Sequence, residues 1–96
     1  MQRLNPFLTA QCLYNFTIEN VQQHNLSMVK KCMRLAERLY LTGNETVKTA
    51  IENIYIYSLS TLFAACENPL YRKRIEGMVP LQLYSAYVHQ ILKSNI

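Results

Sequence analysis

Apolar positions recur along this chain at three- and four-residue steps, the spacing that lines one face of a helix. Val29, Cys32, Met33, Ala36, Leu39 and Tyr40 make one such stripe, and Lys30, Lys31, Arg34, Glu37 and Arg38 fill the opposite side. The pattern predicts a half-buried amphipathic helix, opened by Asn25 or Ser27 and closed by a left-handed residue at Gly43. The next helix begins at once. Asn44 is placed to cap it and Glu45 to favour its dipole, and Val47, Ala50, Ile51, Ile54, Ser58, Leu62 and Ala65 form its stripe. Ile56, Tyr57, Leu59 and Phe63 fall on other sides, and residues 53–66 carry no charge. A helix apolar nearly all round is buried on most faces, and this stretch is shorter than the about 20 apolar residues that cross a bilayer. One helix over 44–65 at the centre of the fold is therefore expected. A strand over 54–59 would suit β-propensity alone, but the helical period runs on to Ala65 with neither Gly nor Pro.

The flanks are read in the same way. In residues 6–21, Phe7, Ala10, Leu13 or Tyr14, Ile18 and Val21 fit a helical stripe, while Tyr14, Phe16 and Ile18 also alternate as in a strand. Helix is the reading adopted, although segment 1–22 fits both periods. Asn68 as cap and Pro69 at the first helical position start a short helix that carries Tyr71 and Ile75 inward and stops at Gly77. Pro80 opens the last helix. Leu81, Tyr84, Tyr87 or Val88, Ile91 and Leu92 are expected to face the core there, with Gln82, Ser85, His89 and Lys93 outward. Links this short set neighbours antiparallel. The expected fold is all-α: an antiparallel bundle of four main helices and one short one, a single domain over 1–96 with helix 44–65 central.

Composition adds a reason to look for partners. Half of the 96 residues are hydrophobic and only 17% are charged, against about a quarter in typical domains. Apolar surface is then left uncovered, and self-association as a homodimer, or docking of another protein, is expected. Tyr55, Ile56, Tyr57 and Phe63 are the candidate interface residues, lying in the apolar half of the central helix among ring systems favoured at interfaces. The net charge of +4 supplies a second reading. Lys30, Lys31, Arg34 and Arg38 line one helix face, and Arg72, Lys73 and Arg74 sit beside Tyr71, a ring on which a base could stack. Nucleic-acid binding would need both groups on one continuous surface. Otherwise they are solvated faces.

Candidate chemistry is sparse. His24 and His89 have no second ligand at metal-binding spacing, so no metal is expected. The six glutamates are dispersed; Glu52, at the edge of the apolar stretch, is best placed and is expected to pair with Lys48 on the surface. Ser58 and Ser60 lack a neighbouring base, and no glycine-rich loop offers a phosphate cradle. No enzyme and no cofactor are expected, and a small-ligand role would need a pocket that desolvates Glu52. Cys12, Cys32 and Cys66 lie in apolar surroundings and read as buried free thiols of a reducing compartment. Residues 1–10 lack the plan of a secretion signal, which points to the cytoplasm and away from the membrane.

The run Leu35-Ala36-Glu37-Arg38-Leu39-Tyr40, then Gly43-Asn44, Val47-Lys48, Ala50-Ile51-Glu52-Asn53-Ile54-Tyr55 and Ser58-Leu59-Ser60, continues in Val79-Pro80-Leu81, Leu83 and Tyr84. Over residues 30–92 the chain resembles a family of small helical bacterial proteins, largely from Bacteroides-type bacteria, known only as a domain of unknown function. The resemblance implies an all-helical cytoplasmic protein and supplies no catalytic residue. The segment before Gln23 lies outside it.

Overall fold

The structure, a computed structural model, describes residues 5–94, with the backbone alone at Ser94. Six α-helical segments follow one another: α1 (Pro6–Gln22), α2 (Leu26–Thr42), α3 (Glu45–Ala50), α4 (Leu59–Ala64), α5 (Pro69–Met78) and α6 (Leu81–Ser94). A π-helical turn, Ile51–Ile56, joins α3 towards α4. There is no strand among the described residues, and the fold is all-α as the pattern predicts. Residues 1–4 of the N-terminal segment and residues 95–96 lie outside the described part.

Asn5 opens α1, its side-chain oxygen accepting from the Phe7 and Leu8 amides, with Pro6 as the first helical residue. Ala10, Tyr14, Thr17, Asn20 and Val21 are buried, which selects the helical over the alternating period. The helix ends in a paired motif: the His24 amide donates to the Val21 carbonyl (3.1 Å) and the Asn25 amide to that of Asn20 (2.9 Å). His24 takes a φ of 58° there, a position normally given to glycine. Because Asn25 completes this turn and donates its side-chain amide to Asn20 (3.1 Å), it stands at the start of α2 without making a side-chain cap.

The left-handed closure expected at Gly43 does not occur. Gly43 is extended (φ −74°, ψ 162°), and the space around it is what requires glycine. A Cβ would lie 2.5 Å from the Leu39 carbonyl oxygen and 2.6 Å from Cγ1 of Val47. Asn44 then caps α3 by accepting from the Val47 amide (3.0 Å). We expect Gly43→Ala to cost about 1–3 kcal/mol through overpacking against a backbone atom that cannot yield. Denaturant unfolding checks this, and an unchanged midpoint would show that the turn relaxes freely.

The helix expected over 44–65 is central but not continuous. Its middle is wound as a π turn, and Tyr57 and Ser58 form a turn before α4. The Tyr57 amide donates to the Glu52 carbonyl five residues back (3.1 Å). Bonding at i→i+5 brings side chains five apart to the same side, so Ile51 and Ile56 are both buried, together with Tyr55. This turn packs against α1, α2 and α6. Thr17 and Tyr55 supply the polar tie at its centre. The Thr17 hydroxyl donates to the Leu13 carbonyl (2.7 Å), so its single proton is committed and the Tyr55 hydroxyl donates to Thr17 (2.9 Å).

Beyond α4, Asn68 caps α5 by accepting from the Leu70 and Tyr71 amides (2.8 and 3.2 Å). The helix does not stop at Gly77. It runs to Met78 and breaks at Val79, which precedes Pro80 and is pushed into extended backbone. The folded chain measures 43 × 36 × 18 Å, and its short dimension admits about two helix layers. Such a slab encloses one core and leaves wide outer faces.

Candidate functional site

An uncovered apolar face belongs to α6. Its start is held by the Glu37 carboxylate, which accepts from the Gln82 amide (3.1 Å), a favourable charge for a helix N-terminus. Further along, the Gln90 side-chain amide donates to the Glu52 carbonyl in the π turn (3.0 Å), and the Tyr87 hydroxyl meets that of Ser60 (2.9 Å). These ties fix the rotation of the helix. Leu83 is wholly buried, with Ala86 and Tyr87 packed beside it.

Tyr87 thus packs on the core as one of the two expected alternatives, but the expected facing of Leu81, Tyr84, Ile91 and Leu92 is reversed. Leu81 is 76% exposed and Leu92 62%, and Tyr84 and Ile91 are also exposed, with Val88 between them half-buried. At about 100° per residue these five side chains fall within roughly 100° of arc on the side away from the core. Gln82, Ser85, His89 and Lys93 are exposed, as expected, but on the flank of this face and not opposite it. The helix therefore has two apolar faces, and among the described residues only the one containing Leu83 is covered. Aromatic packing connects them: Phe63 meets Tyr87 edge-on at 5.5 Å, and Tyr87 meets Tyr84 at 5.9 Å.

On the polar flank of α6 lie two open grooves that share Glu52 and Gln90. One, of about 270 Å³, is lined by Tyr40, Glu52, Ser85 and His89 among others; the second, of about 280 Å³, by Glu52, Asn53, Tyr57 and Lys93. The Lys48 ammonium, expected to pair with Glu52, sits instead over the Tyr40 ring, 5.3 Å from its centre. Neither groove encloses the Glu52 carboxylate, which remains half-exposed.

A third groove, of about 490 Å³, lies where the ends of α1 and α4 meet α5, lined by Val21, His24, Cys66, Glu67 and Tyr71 among others. His24 stacks on Tyr71 with ring centres 4.2 Å apart. The Tyr71 hydroxyl donates to the Val21 carbonyl (2.6 Å). The Cys66 thiol points back to the Leu62 carbonyl (3.7 Å), and burial raises its pKa, only partly offset by Arg72. A thiol held protonated is a poor nucleophile.

Burial likewise raises the phenols of Tyr14, Tyr55 and Tyr71. All four groups keep their protons when folded at a pH where the unfolded chain has lost them, above ordinary values of 9.0 for the thiol and 10.0 for the phenols. The folded state then binds more protons, so this stabilisation is complete below that range and is lost as pH rises through it and beyond. A melting temperature that is level near neutrality and falls progressively above about pH 9 is expected. A flat profile to strong alkali would contradict the burial of these groups.

The candidate interface residues of the central helix are redistributed by the π turn. Tyr55, Ile56 and Phe63 are buried in the chain's own core and present no surface to a partner. Tyr57 is 74% exposed, but it lines the polar flank of α6 rather than the apolar face. Among the basic residues, Lys30, Lys31, Arg34 and Arg38 on α2, and Lys73 and Arg74 on α5, are exposed. Arg72 is committed to structure, its guanidinium donating to the Phe63 and Cys66 carbonyls (3.1 and 3.0 Å) at the end of α4. Tyr71, the proposed stacking ring, already carries His24 on one face. Cys12 is exposed, unlike Cys32 and Cys66, because it lies opposite the buried side of α1. No cluster of metal-ligating side chains occurs among the described residues.

Residues 1–93 match the model of a family described as a domain of unknown function, DUF7674. The chain belongs to this family. The match takes in the segment before Gln23 that the sequence resemblance left aside. No curated protein and no solved structure matches the chain. The family description names no activity. Within the described residues, no helix is long and apolar enough to cross a membrane.

Proposed function

We propose that this member of the family is a non-enzymatic protein-interaction module that docks through the outer face of α6. The observation that carries the reading is the second apolar face of that helix, from Leu81 to Leu92, which its own core does not cover. Exposed apolar residues scattered singly are normal, whereas a contiguous face marks a site of interaction. These three grooves support no rival chemistry: each is open, and their titratable side chains form no nucleophile–base pair or enclosed carboxylate. A fourth, apolar hollow of about 180 Å³ between Pro6, Ala10, Leu39, Val47 and Ile51 carries no titratable side chain. Three unpaired thiols, two of them buried, suit the reducing cytoplasm of a bacterial cell, the setting that the sequence resemblance implies.

Capture from the native host tests the reading, with co-expression of two differently tagged copies so that self-association is also detected. An apolar contact survives nuclease and high salt, because neither removes hydrophobic burial. Leu81→Glu with Ile91→Glu should abolish recovery of the partner, and Lys30→Glu with Lys31→Glu should leave it unchanged. Loss of the partner under nuclease, or in the α2 variant alone, would transfer the function to nucleic acid and overturn the proposal.

A further inference from the structure

Given that α6 is a docking surface, the geometry points to its occupant: we infer that a second copy of this chain docks there, with the two α6 helices antiparallel. Leu81, Tyr84, Val88 and Ile91 are spaced three, four and three residues apart, the a/d seam along which two helices pack with knobs in holes. Reversing one helix about a two-fold axis sets Leu81 opposite Ile91 of the other copy and Tyr84 opposite its Val88. Each large ring then meets a small side chain, twice per interface, as close packing across facing positions requires. A parallel pair would set Tyr84 against Tyr84 and Val88 against Val88, crowding one layer and leaving a gap in the next.

Charge favours the same occupant. No ionised side chain lies within the stripe, so the face carries no sign that would recruit an oppositely charged partner. The one lysine of α6, Lys93, lies on the flank near one end. Antiparallel pairing keeps the two copies of Lys93 at opposite ends, whereas parallel pairing aligns them. The contact is isologous and closes as a dimer. Five side chains over three turns bury less than the roughly 800 Å² per partner of a standard interface. Interfaces this small are weak and transient, and dissociation in about the micromolar range, rather than a permanent dimer, is expected.

Cysteine pairing reads the register directly. In a Cys12→Ser background, which removes the exposed native thiol, full-length Leu81→Cys and Ile91→Cys proteins are mixed and mildly oxidised at tens of micromolar. Mixed disulfides joining position 81 to position 91 should exceed either homodisulfide several-fold. The excess should disappear when Tyr84→Glu is added to both proteins. Predominant 81–81 and 91–91 products would overturn the antiparallel register. Absence of any covalent dimer would overturn the second copy as occupant; if the α6 face still captured another protein, the interaction-module reading would stand without this inference.

Discussion

Leu83→Ala is expected to destabilise the fold by about 2–5 kcal/mol, while Leu81→Ala, two residues earlier on the same helix, should change it by less than about 0.5 kcal/mol in dilute solution. Leu83 is wholly buried and its removal leaves a cavity in the core; Leu81 is 76% exposed and leaves none. Denaturant unfolding of both variants at low micromolar concentration measures the difference. If the two leucines lost equal stability, or Leu81 lost more, α6 would be turned the other way and its apolar stripe would be ordinary core.

The second large effect distinguishes Ile56 from Tyr57. Ile56→Ala should also cost about 2–5 kcal/mol, because the π winding sets that side chain inside the core next to Ile51. Tyr57 is 74% exposed, and Tyr57→Ala should stay within about 0.5 kcal/mol of the parent. A regular α-helix through this segment would turn Ile56 away from Ile51. A small loss at Ile56 would therefore contradict the π turn as well as the burial. Thermal melts followed by circular dichroism give both values.

These two comparisons also show where the sequence was readable. Helix existence, the Asn44 and Asn68 caps and the core side of α2 follow from period and capping chemistry, both local properties. Rotation about a helix axis is not local. On α6, the series Leu81, Tyr84, Val88, Ile91 and the series Leu83, Ala86, Tyr87, Gln90 both have helical spacing, and the first is the more apolar. The second lies inside because Leu83 is buried in the core, and distant ties accompany that rotation: Glu37 to the Gln82 amide, Gln90 to the Glu52 carbonyl and Ser60 to Tyr87. No periodicity reports them.

The burial of Tyr55, Ile56 and Phe63, candidate interface residues of the central helix, has a related reason. One additional residue in a turn rotates everything beyond it, so Ile56 and Phe63, placed off the main stripe by a uniform 3.6-residue period, enter the core. Gln90, whose side chain bonds the π turn, lies far along the chain from Glu52 and gave no local signal. The basic reading likewise treated Arg72 as free, although three cations in a row looked equivalent in sequence. Only the fold shows that this guanidinium closes the carbonyl end of α4 while its neighbours Lys73 and Arg74 remain in solvent.

Sedimentation velocity over a concentration series tests the central claim most directly, comparing the native chain with a Leu81→Glu/Ile91→Glu variant of matched melting temperature. The native chain should pass from monomer to dimer across the micromolar range, and the variant should remain monomeric throughout. Equal behaviour of the two proteins, whether both monomeric at the highest concentration or both dimeric, would show that the outer face of α6 is not where this protein associates.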